Sequence, residues 1–139
     1  MGPFRFHHSI EVRYGDLDAQ GHVNNARYFT YLEQARVHYL QHLGLWDLLD
    51  FREIGVILAQ VSCTFCQPIR LQDPIRVGVR VGAIGTKSLT TEYRIETYPE
   101  GKEMATGQAV LVAYDYHHGV SIPVPERWRS VISKFEGLE

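Results

Sequence analysis

The sequence lacks most of the features that would set the chain apart from ordinary globular proteins. It has only 2 cysteines in 139 residues, too few for a disulfide framework, and no internal repeats. No apolar run approaches the ~20 residues of a membrane-spanning helix. The net charge of −2 offers no general basic surface for nucleic acid. An anionic ligand would therefore need a local cluster of arginine or lysine.

The overall composition of the chain is that of one ordinary globular domain. Hydrophobic residues make up 45% and charged residues 22%. A chain of this length buries roughly two-thirds of its unfolded surface without a disulfide or metal. We expect residues 1–139 to form a single domain with no metal and no cofactor. The first residues lack a secretion signal, and we interpret Cys63 and Cys66 as buried thiols, so we expect a cytoplasmic location.

Alternation of polar and apolar residues predicts five strands. They are expected over residues 8–14, 56–65, 75–84, 88–97 and 104–116. The breaks between the later strands are short and rich in glycine and proline, which indicates antiparallel neighbours. The predicted fold class is therefore α+β, with an antiparallel sheet of about five strands packed around one long helix.

The long helix is expected over residues 26–43, where apolar residues recur at helical spacing. Asn24 or Asn25 would cap its start and Gly44 would end it. A further helical turn or two is expected within residues 45–52. A last, short helix would open with Pro125 at its first position.

The loop before the long helix carries the chemistry. Residues 16–25 hold two carboxylates, an imidazole and several amides. The first N–H groups of the next helix have no intrahelical acceptor and carry the positive end of its dipole, which suits a polarised carbonyl. A carboxylate beside them could activate water or attack directly, as acyl hydrolysis requires. The alternative is an ordinary strand-to-helix loop, which also favours Asp, Asn and Gly.

The segment YGDLDAQGHVNNARYF, residues 14–29, resembles the signature of the hotdog-fold thioesterases. It is similar in particular to the 4-hydroxybenzoyl-CoA thioesterase group, which includes the acyl-CoA thioesterases beside the bacterial Tol–Pal system. The stretch 18–25 also resembles the plant acyl-carrier-protein thioesterases. The resemblance implies a hotdog fold and hydrolysis of an acyl-CoA to free acid and CoA. It further implies a homodimer or homotetramer with sites at the subunit interface.

The resemblance also implies roles for individual residues. Asp18 matches the catalytic carboxylate, as general base or nucleophile, and Asp16 matches an acid that orders the loop. The backbone N–H of Asn25 would polarise the thioester carbonyl. Gln20 and His22 match an amide and an imidazole of the plant relatives.

A second group of residues matches the place where relatives hold the CoA phosphates. It is the turn formed by Thr86, Lys87 and Ser88, which could supply backbone N–H groups and one cation. A solvated hairpin turn is the alternative. Further candidates for the adenosine phosphates are three arginines: Arg70, Arg76 and Arg80.

Other polar and aromatic residues have simpler interpretations. Glu33 is expected on a salt-bridged helix face, paired with Arg36 or Arg27. Tyr28 and Tyr31 are expected in the core or an interface. The two histidine pairs, at 7–8 and 117–118, are expected as exposed strand-end residues rather than metal ligands.

Three other functions compete with an acyl-CoA thioesterase. They are a thioesterase acting on acyl carrier protein, a non-catalytic acyl-CoA-binding protein and a lyase of the same fold. Retention of Asp18 argues against the binding protein, and the His-plus-acid pattern of the lyases is not seen.

Overall fold

The computed structural model describes residues 3–46 and 55–138, and within them it has six strands and two α-helices. The strands are β1 Phe6–Ile10, β2 Gly55–Phe65, β3 Ile75–Ile84, β4 Ser88–Thr97, β5 Glu103–Asp115 and β6 Val120–Ser121. The helices are α1 Asn25–His42 and α2 Glu126–Glu136, and a 3-10 turn, Tyr14–Asp16, precedes α1. None of the helices in these residues is long and apolar enough to cross a membrane.

The strands form one antiparallel sheet in the order β1-β3-β4-β5-β2, with β6 beside β5. The pairing register determines which strand ends lie at the same end of the sheet. Val112 of β5 lies opposite both Ile57 of β2 and Ser88 of β4, so the start of β2 and the β3–β4 turn share one end of the sheet. The predicted α+β class, with an antiparallel sheet on one long helix, is confirmed.

Helix α1 packs against the sheet through one face. Its buried residues recur every three or four positions: Tyr28, Tyr31, Leu32, Ala35, Arg36, Tyr39 and Leu40. The approach is close at Gly107, where an added Cβ would lie 2.9 Å from Leu32 Cδ1. Because this glycine has no side chain, helix α1 can pack closely against β5. Burial of both tyrosines in the first turns of α1 confirms the prediction for them.

The ends of α1 follow from local chemistry. Asn24 Oδ1 accepts a hydrogen bond of 2.8 Å from the N–H of Ala26, so Asn24 is the N-cap. Gly44 follows the C-cap with a φ of 73°, which glycine adopts without strain. The helix is thus confirmed within one residue at each end. Pro125, predicted as the first helical residue, is instead the N-cap of α2, because its ψ of 141° is extended.

The predicted first strand, 8–14, is wrong in position. β1 ends at Ile10, whose partner Ile75 is the first residue of β3, so no strand remains to pair with the residues beyond. The alternation in 11–14 runs into the 3-10 turn instead. Residues 45–46 are not helical, and the rest of the predicted helical turn, 47–52, lies outside the described residues.

Strand β2 is the long edge of the sheet. Among residues 3–46 and 55–138 it pairs with β5 alone, and it exposes Ile57, Leu58 and Phe65 by 40%, 46% and 44%. The prediction of two buried thiols is wrong for Cys66, which follows the end of this edge strand and is exposed, whereas Cys63 is half-buried.

Candidate active site

The loop between the 3-10 turn and α1 is closed by its own backbone. Leu17 and Val23 form an isolated antiparallel bridge. Inside it, the Asp18 N–H donates to the His22 carbonyl at 2.7 Å, and the Gly21 N–H donates to the Asp18 carbonyl at 3.0 Å. The Val23 N–H donates to Ile69 O at 2.8 Å, which ties the loop to the segment before β3. These bonds fix the backbone that carries Asp18.

The carboxylate of Asp18 is held by the same loop. Its Oδ1 accepts the backbone N–H groups of Gln20 at 2.9 Å and of His22 at 3.3 Å. Within the described residues Oδ2 accepts no hydrogen bond, and the side chain is half-buried. One oxygen therefore positions the carboxylate, and the other is available to water or substrate.

The start of α1 supplies a hydrogen-bond donor to the same place. The Ala26 N–H is capped by Asn24 Oδ1, and the Arg27 N–H donates to Asn24 O at 2.8 Å. In the described part of the chain the N–H of Asn25 has no such acceptor. It sits at the positive end of the helix dipole, where a polarised carbonyl oxygen would be stabilised.

Asp18, His22 and Asn25 line a common cleft of about 240 Å³. The opposite wall comes from Tyr28 of α1 and from Phe65 at the end of β2, whose rings meet edge to face at 4.8 Å. Burial raises the pKa of Tyr28, so its hydroxyl stays protonated. The cleft thus combines a carboxylate, a free helix N–H and an apolar wall.

Asp16 lies behind this cleft and is buried, with 3% of its surface exposed. Its Oδ2 accepts the Tyr31 hydroxyl at 2.7 Å and the Arg13 N–H at 3.1 Å. The backbone carbonyl of Asp16 accepts the Asn24 N–H at 2.8 Å. These contacts connect the loop to α1 and support the loop-ordering role implied by the resemblance.

The other two predicted groups lie outside the cleft. The Gln20 side chain is exposed and does not line it. Thr86, Lys87 and Ser88 occupy the β3–β4 turn, where Lys87 Nζ donates to Ser121 Oγ at 3.4 Å. That turn lies at the end of β3 remote from the loop, about 30 Å along ten residues of strand.

The arginine candidates already have partners. Arg76 Nε and Arg80 Nε lie 2.7 and 2.6 Å from Glu96 and Glu92 across the β3–β4 ladder. Arg70 is exposed, and its backbone N–H donates to an aspartate in the loop after β2. The first two arginines therefore stabilise the sheet face.

The remaining polar expectations have mixed outcomes. Glu33 is 67% exposed and lies 3.8 Å from Arg36, which confirms the salt-bridged helix face. His117 and His118 are exposed in the turn after β5 as predicted. The prediction is wrong for residues 7–8, which lie half-buried inside β1, where the His8 ring packs 4.0 Å from that of His38. The described residues contain no cluster of three potential metal ligands.

The end of β2 also reaches the cleft, which no local pattern in residues 65–67 predicts. Phe65, Cys66 and Gln67 line the cleft because β2 ends beside the Asp18 loop. Contacts between residues distant in sequence hold this segment there, among them the hydrogen bond of 3.4 Å from the Tyr28 hydroxyl to Gln67 O.

Comparison with known proteins agrees with this geometry. The profile of the Thioesterase-like superfamily matches residues 12–132. A thioesterase from Thermus thermophilus, solved in complex with coenzyme A and Zn, superposes with a TM-score of 0.86 at 34% identity, covering 99% of this chain and 98% of that one. The chain therefore has the hotdog fold and belongs to the thioesterase-like superfamily.

Two relatives are named as acyl-CoA thioesterases. The long-chain acyl-CoA thioesterase FadM of Escherichia coli is 28% identical over 106 residues, which is 76% of this chain and 80% of FadM. The acyl-CoA thioesterase YbgC of Haemophilus influenzae is 28% identical over 92 residues, 65% of this chain and 68% of YbgC. The protein is a thioester hydrolase.

Proposed function

We propose that this protein hydrolyses acyl-CoA thioesters to a free acid and coenzyme A, as a single-domain member of the 4-hydroxybenzoyl-CoA thioesterase group. The observation that carries the proposal is the cleft where the free oxygen of Asp18 and the free N–H of Asn25 line the same space. The names of FadM and YbgC support the CoA ester as substrate.

The thioester carbonyl would point its oxygen at the Asn25 N–H. The helix dipole and this N–H then stabilise the negative charge that develops on that oxygen. Asp18 either removes a proton from the attacking water or attacks the carbonyl carbon itself and is released by water. In both routes the C–S bond breaks, the thiolate of CoA takes up a proton and the acid is released.

His22 would assist through its backbone. Its N–H holds Asp18 Oδ1, and its carbonyl accepts the Asp18 N–H, so the loop geometry does not depend on the imidazole. Gln20 acts in the same way through its N–H. We assign both residues a positioning role.

The phosphates of CoA would bind at the β3–β4 turn of a second subunit. The Asp18 cleft lies at the Phe65 end of β2, and the Lys87 turn lies at the Gly55 end of the sheet, two strands or about 10 Å from β2. Antiparallel pairing of two copies along β2 would set opposite ends side by side. A homodimer, or a homotetramer built from it, would thus hold both ends of one CoA ester.

The exposed edge supports this assembly, because the outer side of β2, eleven residues long, is a template for association. We expect a dimer or tetramer in sedimentation experiments at micromolar concentration. A monomer that is fully active at that concentration would contradict a shared site. We further propose a cytoplasmic location, which is supported by the free thiols Cys63 and Cys66.

Replacement of Asp18 tests the chemistry. Asp18→Asn keeps the shape but can neither accept the proton nor attack as an anion, so thiol release from acyl-CoA should fall at least ~100-fold. The matched control is Asp73→Asn, because Asp73 also accepts a backbone N–H in a loop, at 2.8 Å, but lies outside the cleft. Circular dichroism should be unchanged in both.

Turnover of Asp18→Asn within about threefold of the wild type would contradict the mechanism. Running the same acyl group on CoA and on acyl carrier protein distinguishes the two thioesterase classes. Faster hydrolysis of the carrier-protein ester would replace CoA by that carrier as the natural substrate.

A further inference from the structure

The cleft beside Asp18 contains an oxygen that the chemistry proposed for Asp18 and Asn25 does not use. It is the hydroxyl of Tyr28, one turn further along α1 than Asn25 and on the same face of the helix. Tyr28 is 3% exposed and lines the cleft together with Asp18. A polar group this deeply buried normally has hydrogen-bond partners in the protein.

The hydrogen of the Tyr28 hydroxyl is taken up by the opposite wall of the cleft. Tyr28 Oη donates to the carbonyl of Gln67 at 3.4 Å, and the N–H of Ile69 interacts with the same oxygen. The ring meets that of Phe65 edge to face, with the centroids 4.8 Å apart. These contacts fix both the ring and the rotation of its hydroxyl group.

The Tyr28 oxygen is therefore an acceptor toward the cleft. A hydroxyl oxygen has two lone pairs, and the Ile69 N–H uses no more than one of them. Burial raises the pKa of Tyr28 and outweighs the opposing effect of the Ile69 N–H, and the charge of Asp18 adds to the rise. Tyr28 is thus placed to accept a hydrogen bond, and it is a poor donor to a leaving thiolate or a carbonyl oxygen.

Attack by water on a thioester requires such an acceptor. The water must point a lone pair at the carbonyl carbon, so both of its hydrogens have to be held on the side away from that carbon. Asp18 Oδ2 would take one hydrogen as the general base, because the loop N–H groups bind Oδ1. Tyr28 lies in the same cleft and close enough to interact with the charge of Asp18, so its oxygen can hold the other hydrogen.

We propose that Tyr28 accepts the second hydrogen of the attacking water and so directs that water at the thioester carbon, while Asp18 removes the first. The inference rests on the proposed function and takes the route in which Asp18 is the general base. The water oxygen bonds to the acyl carbon, Asp18 gains the proton, the C–S bond breaks, and the thiolate of CoA receives the proton from Asp18. Tyr28 keeps its own hydrogen on the Gln67 carbonyl throughout.

Methanol provides a test, because it has only one hydroxyl hydrogen. That hydrogen goes to Asp18, and the methyl group takes the place of the hydrogen that Tyr28 would accept. The protein should therefore convert acyl-CoA and methanol into the methyl ester and CoA without help from Tyr28. In aqueous methanol the ratio of methyl ester to free acid compares the two nucleophiles within one sample, so it does not depend on how much of a variant is folded.

Tyr28→Phe keeps the ring against Phe65 and removes only the oxygen. Loss of one neutral hydrogen bond should lower kcat for hydrolysis about threefold to tenfold at an unchanged KM. Methyl ester formation should persist, so the ratio of ester to acid should rise by the same factor. The matched control is Tyr39→Phe, since Tyr39 is a buried tyrosine of the same helix that donates to Glu136 at 2.5 Å and does not line the cleft. That control should leave the ratio unchanged.

Three results would overturn the role of Tyr28. The first is hydrolysis or a product ratio that stays at the wild-type value in Tyr28→Phe. The second is a ratio that moves in His22→Ala and not in Tyr28→Phe, which would assign the second hydrogen to the imidazole. The third is incorporation of a heavy oxygen isotope from water into the Asp18 side chain during turnover, which would show that the carboxylate itself attacks.

Failure of the proposed function would look different. It would be a wild-type protein that releases no thiol from acyl-CoA, or an Asp18→Asn variant that keeps its turnover. Activity that is lost in Asp18→Asn, together with a product ratio that Tyr28→Phe does not move, would overturn only the role of Tyr28 and leave the proposed function standing.

Discussion

The hydrogen bond between Asp16 and Tyr31 should contribute more to stability than to turnover. It joins the Asp18 loop to α1 at 2.7 Å, and both residues are 3% exposed. Burial alone would raise the pKa of Asp16, but the Tyr31 hydroxyl, the Arg13 N–H and the charges of Arg13 and Arg27 together hold that pKa below its ordinary value. The carboxylate is therefore ionised and bonded at neutral pH.

The size of the effect follows from these contacts. Asp16→Asn can still accept both hydrogen bonds, but a bond to a charged group is worth ~1.5–3 kcal/mol and a neutral one ~1 kcal/mol. Arg27 Nε lies 3.7 Å away with a half-exposed side chain, and adds only a few tenths. For the two bonds together we expect a loss of about 1–4 kcal/mol. For a chain of this length that lowers the Tm by about 3–14 °C.

The assay is denaturant unfolding of the wild type, Asp16→Asn, Tyr31→Phe and the double variant. The double-variant cycle should give a coupling of about 1 kcal/mol or more. Values of kcat/KM for Asp16→Asn should fall less than about tenfold, against at least ~100-fold for Asp18→Asn. Additive single effects, or a turnover loss as large as that of Asp18→Asn, would refute the assignment of Asp16 to loop order.

The pH dependence gives an independent check. Folding lowers the pKa of Asp16 from its ordinary 3.8, so its contribution is fully present above that pH and is lost as the pH falls through the lower folded value. The stability difference between wild type and Asp16→Asn should therefore be constant from pH 7 to 5 and shrink below about pH 4. A difference that grows on acidification would contradict the ionised carboxylate.

Two further predictions concern exposed residues. Lys87→Ala should raise KM for acyl-CoA about five- to thirtyfold at unchanged kcat, and the rise should be smaller at high salt. Lys102→Ala is the control. An equal effect on an N-acetylcysteamine thioester would show that Lys87 does not contact the nucleotide. Cys66 is exposed in the cleft, whereas burial raises the pKa of Cys63 to about 11. A disulfide reagent should therefore label Cys66 before Cys63, and bound acyl-CoA should protect Cys66 from the reagent. Equal labelling with and without substrate would exclude Cys66 from the binding cleft.

Much of the fold could be predicted because proline and glycine in the sequence mark where its strands end. Strands β2 to β5 lie within a residue of their predicted bounds, since each break carries proline or glycine and each strand alternates, whereas the two-residue β6 was not predicted. Residues 11–14 also alternate but have no partner strand, since β3 begins opposite Ile10. Alternation reports which faces a strand could bury, whereas pairing depends on residues distant in sequence.

The same difference between residues close and distant in sequence applies to the candidate site. Asp18, His22 and Asn25 are close in sequence, so a motif could identify them, and the structure places all three in one cleft. Phe65 reaches that cleft through contacts with residues distant in sequence, such as the ring of Tyr28 at 4.8 Å.

The two edges of the sheet differ in length and in exposed apolar surface. β1 is five residues long, whereas β2 has eleven and exposes apolar side chains at both ends. An edge this long is a template for association, and an identical strand running antiparallel would cover it. Because the cleft and the Lys87 turn lie at opposite ends of the sheet, the same pairing would place each beside its complement in the other subunit. The contact that protects the edge would then also build two complete sites, and neither site would exist in a single chain.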